Sequence, residues 1–178
     1  MNVRNSTATR SYPLRAALVG TLVVGLCALS LPALSVEPGN AAPSFELPTK
    51  DKPIKLEHFA GKVVYLDFWA SWCGPCKQSF PWMNEMQSKY GSQGFQVIGV
   101  GLDAKQDDAL RFLNTTAANF TVAFDHTGDT PQRFSVKGMP TSVLIGRDGR
   151  VLSTHVGFSV QTRESLEHAI VLALGNTK

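Results

Sequence analysis

Apolar side chains fill VVYLDFWA at residues 63–70, with Asp67 the one polar position. A half-exposed strand would alternate polar and apolar residues, so this β-branched and aromatic run predicts a strand buried on both faces, central in a sheet. FQVIGVGLD at 95–103 has the same character and predicts a second buried strand. Between them, 74–90 turns helical, with Phe80, Met83 and Met86 or Tyr90 at helical spacings and Pro81 placed to kink it. Strand, helix, strand in that order favours parallel pairing.

Further along, 107–117 predicts a short helix contributing Leu110, Phe112 and Leu113 to the core, 121–125 a short strand, and 129–134 a helical turn. Two β runs, 141–146 and 150–156, flank Arg147-Asp148-Gly149, and Asp-Gly between such runs is a hairpin signal. The chain closes on an amphipathic helix over 162–174, with Leu166, Ile170 and Leu174 one turn apart. Parallel strands followed by an antiparallel hairpin give an α/β domain, a mixed central β-sheet with helices on both faces. Before it, 37–48 is rich in Pro, Gly and Asn and reads as a lead-in. The expected organisation is a leader over 1–35, a linker over 36–42 and one domain over 43–178.

Charge changes the picture at the N-terminus. Arg4, Arg10 and Arg15 are the only charged side chains before Glu37, and without them the remaining 14 basic residues equal the 14 acidic ones. The net charge of +3 belongs to the leader, so the domain has no basic excess of the kind that nucleic-acid binding needs. From 16 to 36 the chain carries no charge for 21 residues and then offers Ala33 and Ser35 as small residues. That layout fits a secretory signal peptide cleaved after Ser35, and the length also suits an uncleaved membrane anchor. In both cases the arginines stay on the cytoplasmic side and the domain is expected outside the cytoplasm, in the periplasm or on the outer face of the cytoplasmic membrane. Cys27 lies inside this apolar segment, preceded by Leu26, and is expected to be a bystander.

Two cysteines remain, Cys73 and Cys76, in Trp72-Cys73-Gly74-Pro75-Cys76 between the first buried strand and its helix. Two intervening residues bring the sulfurs together in the first helical turn. There, free N–H groups and the helix dipole favour the thiolate that attacks disulfides. Pro75 suits that turn because its missing N–H has no intrahelical partner to serve. A zinc site would need two more ligands, and the histidines are scattered singly at 58, 126, 155 and 168. A static disulfide closing so small a loop would stabilise little. Redox chemistry is therefore the expected role, with neither metal nor cofactor. Asp67, inside an apolar strand, is expected to be buried with its pKa raised by desolvation.

YLDFWASWCGPCKQSFPWM resembles the active-site segment of thioredoxins, and Pro81, Gly138-Met139-Pro140-Thr141 and Val156-Gly157 follow in the corresponding order. The longer stretch between Asp103 and Pro140, with an extra helix and strand, is similar to the membrane-associated TlpA and ResA branch, over roughly residues 43–174. The resemblance implies a thioredoxin fold carrying a helix–strand insertion, and a thiol-disulfide oxidoreductase acting on protein disulfides. It makes Cys73 the nucleophile, Cys76 the resolving thiol and Asp67 the group that moves the proton of Cys76. Pro140 is the implied cis-proline facing the dithiol, and Met139 beside it offers backbone hydrogen bonds to an extended substrate. Trp72, Gly74 and Pro75 flank the sulfurs as contact surface, while Trp69 and Trp82 read as core. A reductase in an oxidising compartment also implies a membrane electron donor of the DsbD or CcdA kind.

Departures from the pattern sharpen the expectation. Ser79 stands where many TlpA-type reductases have an acid, Gly99 where thioredoxins have a lysine, and Thr141 where cytochrome c maturation reductases have a glutamate. Asp67 is present where TlpA-type enzymes often lack it. These differences weigh against a dedicated cytochrome c maturation role and favour a thioredoxin-like proton circuit. Three other readings stay in view: a disulfide-forming oxidant, a peroxidase, which would want threonine where Ala70 stands, and a Cu(I)-binding module recruiting His126 or His155.

Overall fold

The described residues form seven strands and four α-helices, five of the strands where the pattern predicts them. The computed structural model describes residues 36–175, so the leader, its alternative fates and Cys27 lie outside the described residues. Strand β3 (Val63–Trp69) has every residue buried, as its unbroken apolar run predicts. It pairs in parallel with β4 (Phe95–Gly101) and antiparallel with β6 (Thr141–Ile145). β5 (Thr121–Phe124) adds in parallel beyond β4, and β7 (Val151–Val156) adds antiparallel beyond β6. The sheet order is β5-β4-β3-β6-β7, the expected mixed sheet with β3 at its centre.

Period-2 alternation divides β3 between two cores. Val63, Tyr65 and Trp69 join a cluster with Cys73, Cys76, Phe80, Met83 and Met86 of helix α1 (Gly74–Tyr90), Ala109 and Phe112 of α2 (Gln106–Thr115), and Leu166 and Ile170 of α4 (Arg163–Ala173). Val64, Leu66 and Phe68 face the other way. Helix α1 runs on through Pro81 as one element, and the missing proline N–H leaves the Lys77 carbonyl without its i+4 donor. The predicted core triad of the last helix, Leu166, Ile170 and Leu174, is buried as expected.

The lead-in does more than connect. Phe45, Leu47 and Ile54 are buried, and Glu46–Leu47 (β1) pairs antiparallel with Ile54–Lys55 (β2). Residues 39–42 hydrogen-bond to the β6–β7 hairpin, Gly39 N–H to the Val151 carbonyl at 2.8 Å and Ala42 N–H to the Gly149 carbonyl at 2.9 Å. The physical reason is coverage. Among the described residues the only α-helix on the second face is the five-residue α3 (Asp129–Arg133), and the alternating apolar positions of the lead-in cover the remaining core. Among the described residues no helix is long and apolar enough to cross a membrane.

Candidate active site

The chain leaves β3 at Trp69 and must turn before α1 begins. Residues 69–73 are held there by three anchors. The Trp69 carbonyl accepts from Leu102 N–H at 2.9 Å, and the Ala70 carbonyl accepts from Cys73 N–H at 3.1 Å. Ser71 donates twice to the buried Asp103 carboxylate, from its backbone N–H at 3.0 Å and its hydroxyl at 2.6 Å. Asp103 terminates the FQVIGVGLD run, where an acid following a buried strand was the available signal, yet sequence reasoning assigned it no role. It acts as a positioning residue: its two oxygens fix the loop from which Cys73 projects.

Cys73 caps α1, and its Sγ accepts from Cys76 N–H at 3.2 Å. That donor and the helix dipole both favour negative charge on this sulfur when the bond is open. Cys73 and Cys76 are joined as a disulfide with Cα atoms 5.3 Å apart. Both sulfurs are nearly covered, whereas Trp72, Gly74 and Pro75 around them are exposed, with Trp72 at 72 % exposure. An incoming disulfide therefore meets a shallow, partly aromatic surface. Ser79, in the place where an acid was noted as missing, is buried and its hydroxyl donates to the Cys76 carbonyl at 2.9 Å.

The strand register delivers the second side of the site. Thr141 pairs with Phe68, so Pro140 falls at the end of β3 from which the dithiol loop departs. The Met139–Pro140 peptide bond is cis. The Pro140 carbonyl accepts from Gly157 N–H at 2.7 Å, which ties the late Val156-Gly157 element to the same end of the sheet. Met139 packs half-buried against the cluster containing both cysteines.

Asp67 is 2 % exposed and lies on the same face of β3 as Tyr65 and Trp69, the face covered by the dithiol helix. Its Oδ2 has no hydrogen-bond partner. Burial without compensating donors pushes its pKa well above the usual carboxylate range, as the sequence predicts. Desolvation likewise raises Tyr65, with the Asp67 charge adding to it and a hydrogen bond with Ser142 opposing it. Opposite Asp67 on β4 stands Gly99, and a side chain there would be crowded: a Cβ would lie 3.2 Å from Trp69 Nε1 and 3.0 Å from a Phe120 ring carbon. Trp69 and Trp82 are core residues, both with unpartnered indole N–H groups. Trp69 packs edge-on against Phe80 at 5.1 Å between ring centroids.

The histidines take no part in grouping ligands around the sulfurs. His126 Nδ1 lies 2.8 Å from the Asp103 carbonyl with its ring stacked on Phe124, and His155 sits on β7. Among the described residues no three His, Cys, Asp or Glu side chains come together as metal ligands.

A reversible sulfur–sulfur bond at a helix N-terminus, beside a buried acid and an exposed aromatic surface, is equipped for thiol–disulfide exchange. Known proteins agree. The Redoxin family matches residues 37–170. A thiol-disulfide oxidoreductase ResA from Bacillus thuringiensis subsp. konkukian is 37 % identical over 133 residues, covering 74 % of this chain and 76 % of the relative. ResA of Bacillus subtilis is 32 % identical over 147 residues, covering 78 % and 82 % respectively. A solved structure from Chlorobium tepidum, assigned as the thiol:disulfide interchange protein DsbE, superimposes with a TM-score of 0.78 at 59 % identity, covering 79 % of this chain and all of that one. The chain belongs to the Redoxin family and is a thioredoxin-fold thiol-disulfide oxidoreductase of the ResA type.

Proposed function

We propose that the protein reduces protein disulfides outside the cytoplasm through Cys73 and Cys76. The observation that carries this reading is the Cys73–Cys76 bond at the start of α1, with Cys76 N–H aimed at Cys73 Sγ. The Cys73 thiolate attacks one sulfur of a substrate disulfide, and the departing substrate sulfur leaves as thiolate and takes a proton from solvent. A mixed disulfide joins enzyme and substrate. Cys76 then gives its proton to the Asp67 carboxylate and attacks Cys73 Sγ, so that the second substrate sulfur leaves in turn. The substrate gains two electrons and two protons, and the enzyme ends as the disulfide seen here. Asp67 suits the base role because burial raises its proton affinity towards that of a thiol.

Exposed Trp72, Gly74 and Pro75 supply the docking surface, with half-buried Met139 and buried Pro140 at its edge. A substrate strand is expected to lie beside Met139 and pair with its backbone, as extended peptides do on protein backbone elsewhere. Regeneration needs a dithiol donor, and a DsbD- or CcdA-like membrane protein fits a reductase working in an oxidising compartment. The leader, with its arginines followed by the uncharged stretch from 16 to 36, supports that location as signal or anchor, with the linker at 36–42 and the domain from 43 onward.

The test is the equilibrium of the Cys73–Cys76 pair against glutathione, with insulin reduction as the activity readout. A low reduction potential with turnover lost in Cys73→Ser supports the reductase. A potential like that of strong oxidants, with net oxidation of reduced substrates, reverses the direction and retires the proposal.

A further inference from the structure

A transverse row of residues crosses the sheet from the buried acid to its edge. Asp67 on β3 is opposite Ser142 on β6, and Ser142 is opposite His155 on β7, all on the face covered by α1 and α4. β7 is an edge strand, so the row ends at the rim of the molecule. Beneath α4 it opens on a cavity of about 10 Å³, lined by Tyr65, Ser142, Leu144, Ser153, His155, Leu166, Ala169 and Ile170. That is the size at which a single water fits. Its polar lining is unusual for a core: the hydroxyls of Tyr65, Ser142 and Ser153, and the imidazole of His155.

Two of the groups on this row are unsatisfied. Asp67 Oδ2 and His155 Nε2 are both buried without a hydrogen-bond partner, a destabilising state for any buried polar atom. Tyr65 and Ser142 stand between them, diagonal neighbours on β3 and β6 that both line the cavity. Hydroxyls both donate and accept, so such a pair passes a proton on by exchanging roles. The strand itself carries the oddity: in TSVLI, an otherwise apolar run after its first residue, Ser142 is the one hydroxyl pointing into the α1–α4 core.

We propose that Asp67, the Tyr65–Ser142 pair and His155 form a proton relay that returns the resolving proton to solvent at the β7 edge. This rests on the reading of Asp67 as the base for Cys76. After Cys76 transfers its proton, Asp67 is a buried carboxylic acid, 2 % exposed. One proton leaves Asp67, one hydroxyl in the chain receives a proton as it gives one up, and His155 Nε2 accepts the last, becoming imidazolium before releasing it outside. The carboxylate is restored and no electrons move. Histidine suits the terminal place because its ring nitrogens can both accept and donate a proton. The titratable groups facing the row are Tyr65 and Asp67 of β3, His155 of β7 and the Cys73–Cys76 pair of α1. The cavity-lining residues of α4, Leu166, Ala169 and Ile170, carry no charge.

The test follows the resolving step in the full-length protein, by single-turnover reduction of a disulfide-linked peptide between pH 5 and 9. His155→Gln keeps a polar side chain but cannot relay, and it should slow resolution about tenfold. Added imidazole buffer should restore the rate in proportion to its concentration, which a merely structural defect would not allow. In an Asp67→Asn background the His155 change should have no further effect. If His155→Gln and wild type give superimposable pH profiles, or the loss is indifferent to buffer, the relay is wrong while the base survives. If Asp67→Asn itself leaves resolution untouched, the base reading fails first. Ser142→Ala, with native thermal stability as its control, should show the same buffer rescue; a slowing without it overturns the relay.

Discussion

Two buried aspartates on one sheet behave in opposite ways. Asp67, in the middle of β3, and Asp125, just beyond the end of β5, are 2 % and 4 % exposed. Desolvation acts on both. At Asp67 it acts alone and drives the pKa up. At Asp125 it is outweighed: Oδ1 accepts from the Thr127 and Gly128 N–H groups and the Thr127 hydroxyl, and Oδ2 accepts from Thr130 N–H at 2.7 Å, so the pKa falls below its usual value. Burial therefore does not decide what a carboxylate is for; the supply of donors does. A carboxylate ringed by N–H groups is a structural brace that never needs its proton. One left without donors is held ready to take one.

The comparison breaks most visibly at the acid without donors. Asp67→Asn should slow resolution by about a hundredfold, equivalent to about 2.7 kcal/mol of barrier, and leave the first attack by Cys73 nearly unchanged. Acid-quenched samples should then accumulate mixed disulfide; absence of that intermediate would remove Asp67 from the reaction. The converse change, Asp125→Ala, strips the α3 turn of its acceptor and should cost about 2–3 kcal/mol in urea unfolding. Activity per folded molecule should be preserved, and a selective loss of activity would show that the brace reaches the chemistry.

Asp103→Ala lies between these cases, since its carboxylate braces the dithiol loop through Ser71. A loss of about 1–2 kcal/mol in stability is expected, with a changed reduction potential for the cysteine pair as the readout a remote brace would not give. The smallest effect is one of pH. Asp67 in the unfolded chain loses its proton near the ordinary carboxylate pKa, while the folded protein retains it to higher pH, so rising pH through that window erodes stability. Asp67→Asn should therefore melt above wild type at pH 8 and coincide with it near pH 4. Asp125 has the reverse sign: its contribution is present at neutral pH and is lost as pH falls through its lowered native pKa. Melting curves of both variants across pH 2–8 would show the two trends diverging.

The five strands of the main sheet and the dithiol were legible because they rest on local patterns: an apolar run too continuous to be half exposed, an Asp-Gly turn, and two cysteines at a helix start. The buried position of Asp67 was legible for the same reason. Residues acting across the sheet were not. Asp103 meets Ser71 across 32 residues, and Ser142 meets Asp67 and His155 only through register, which one sequence does not display. The lead-in was misjudged in part because its Pro and Gly content reads as loop, while Phe45, Leu47 and Ile54 reveal their packing only once the second face of the sheet needs covering.

Trp69 lies across Gly99 and Gly101, with ring atoms 3.2 and 3.1 Å from where a Cβ would stand on each. Positions 69, 99 and 101 are thus sterically linked. A cationic side chain grafted at 99, opposite Asp67, would have to displace the indole or the Phe120 ring by a few tenths of an ångström. With those rings in place the buried acid meets only glycine across β4, and its polar company comes from the β6 side.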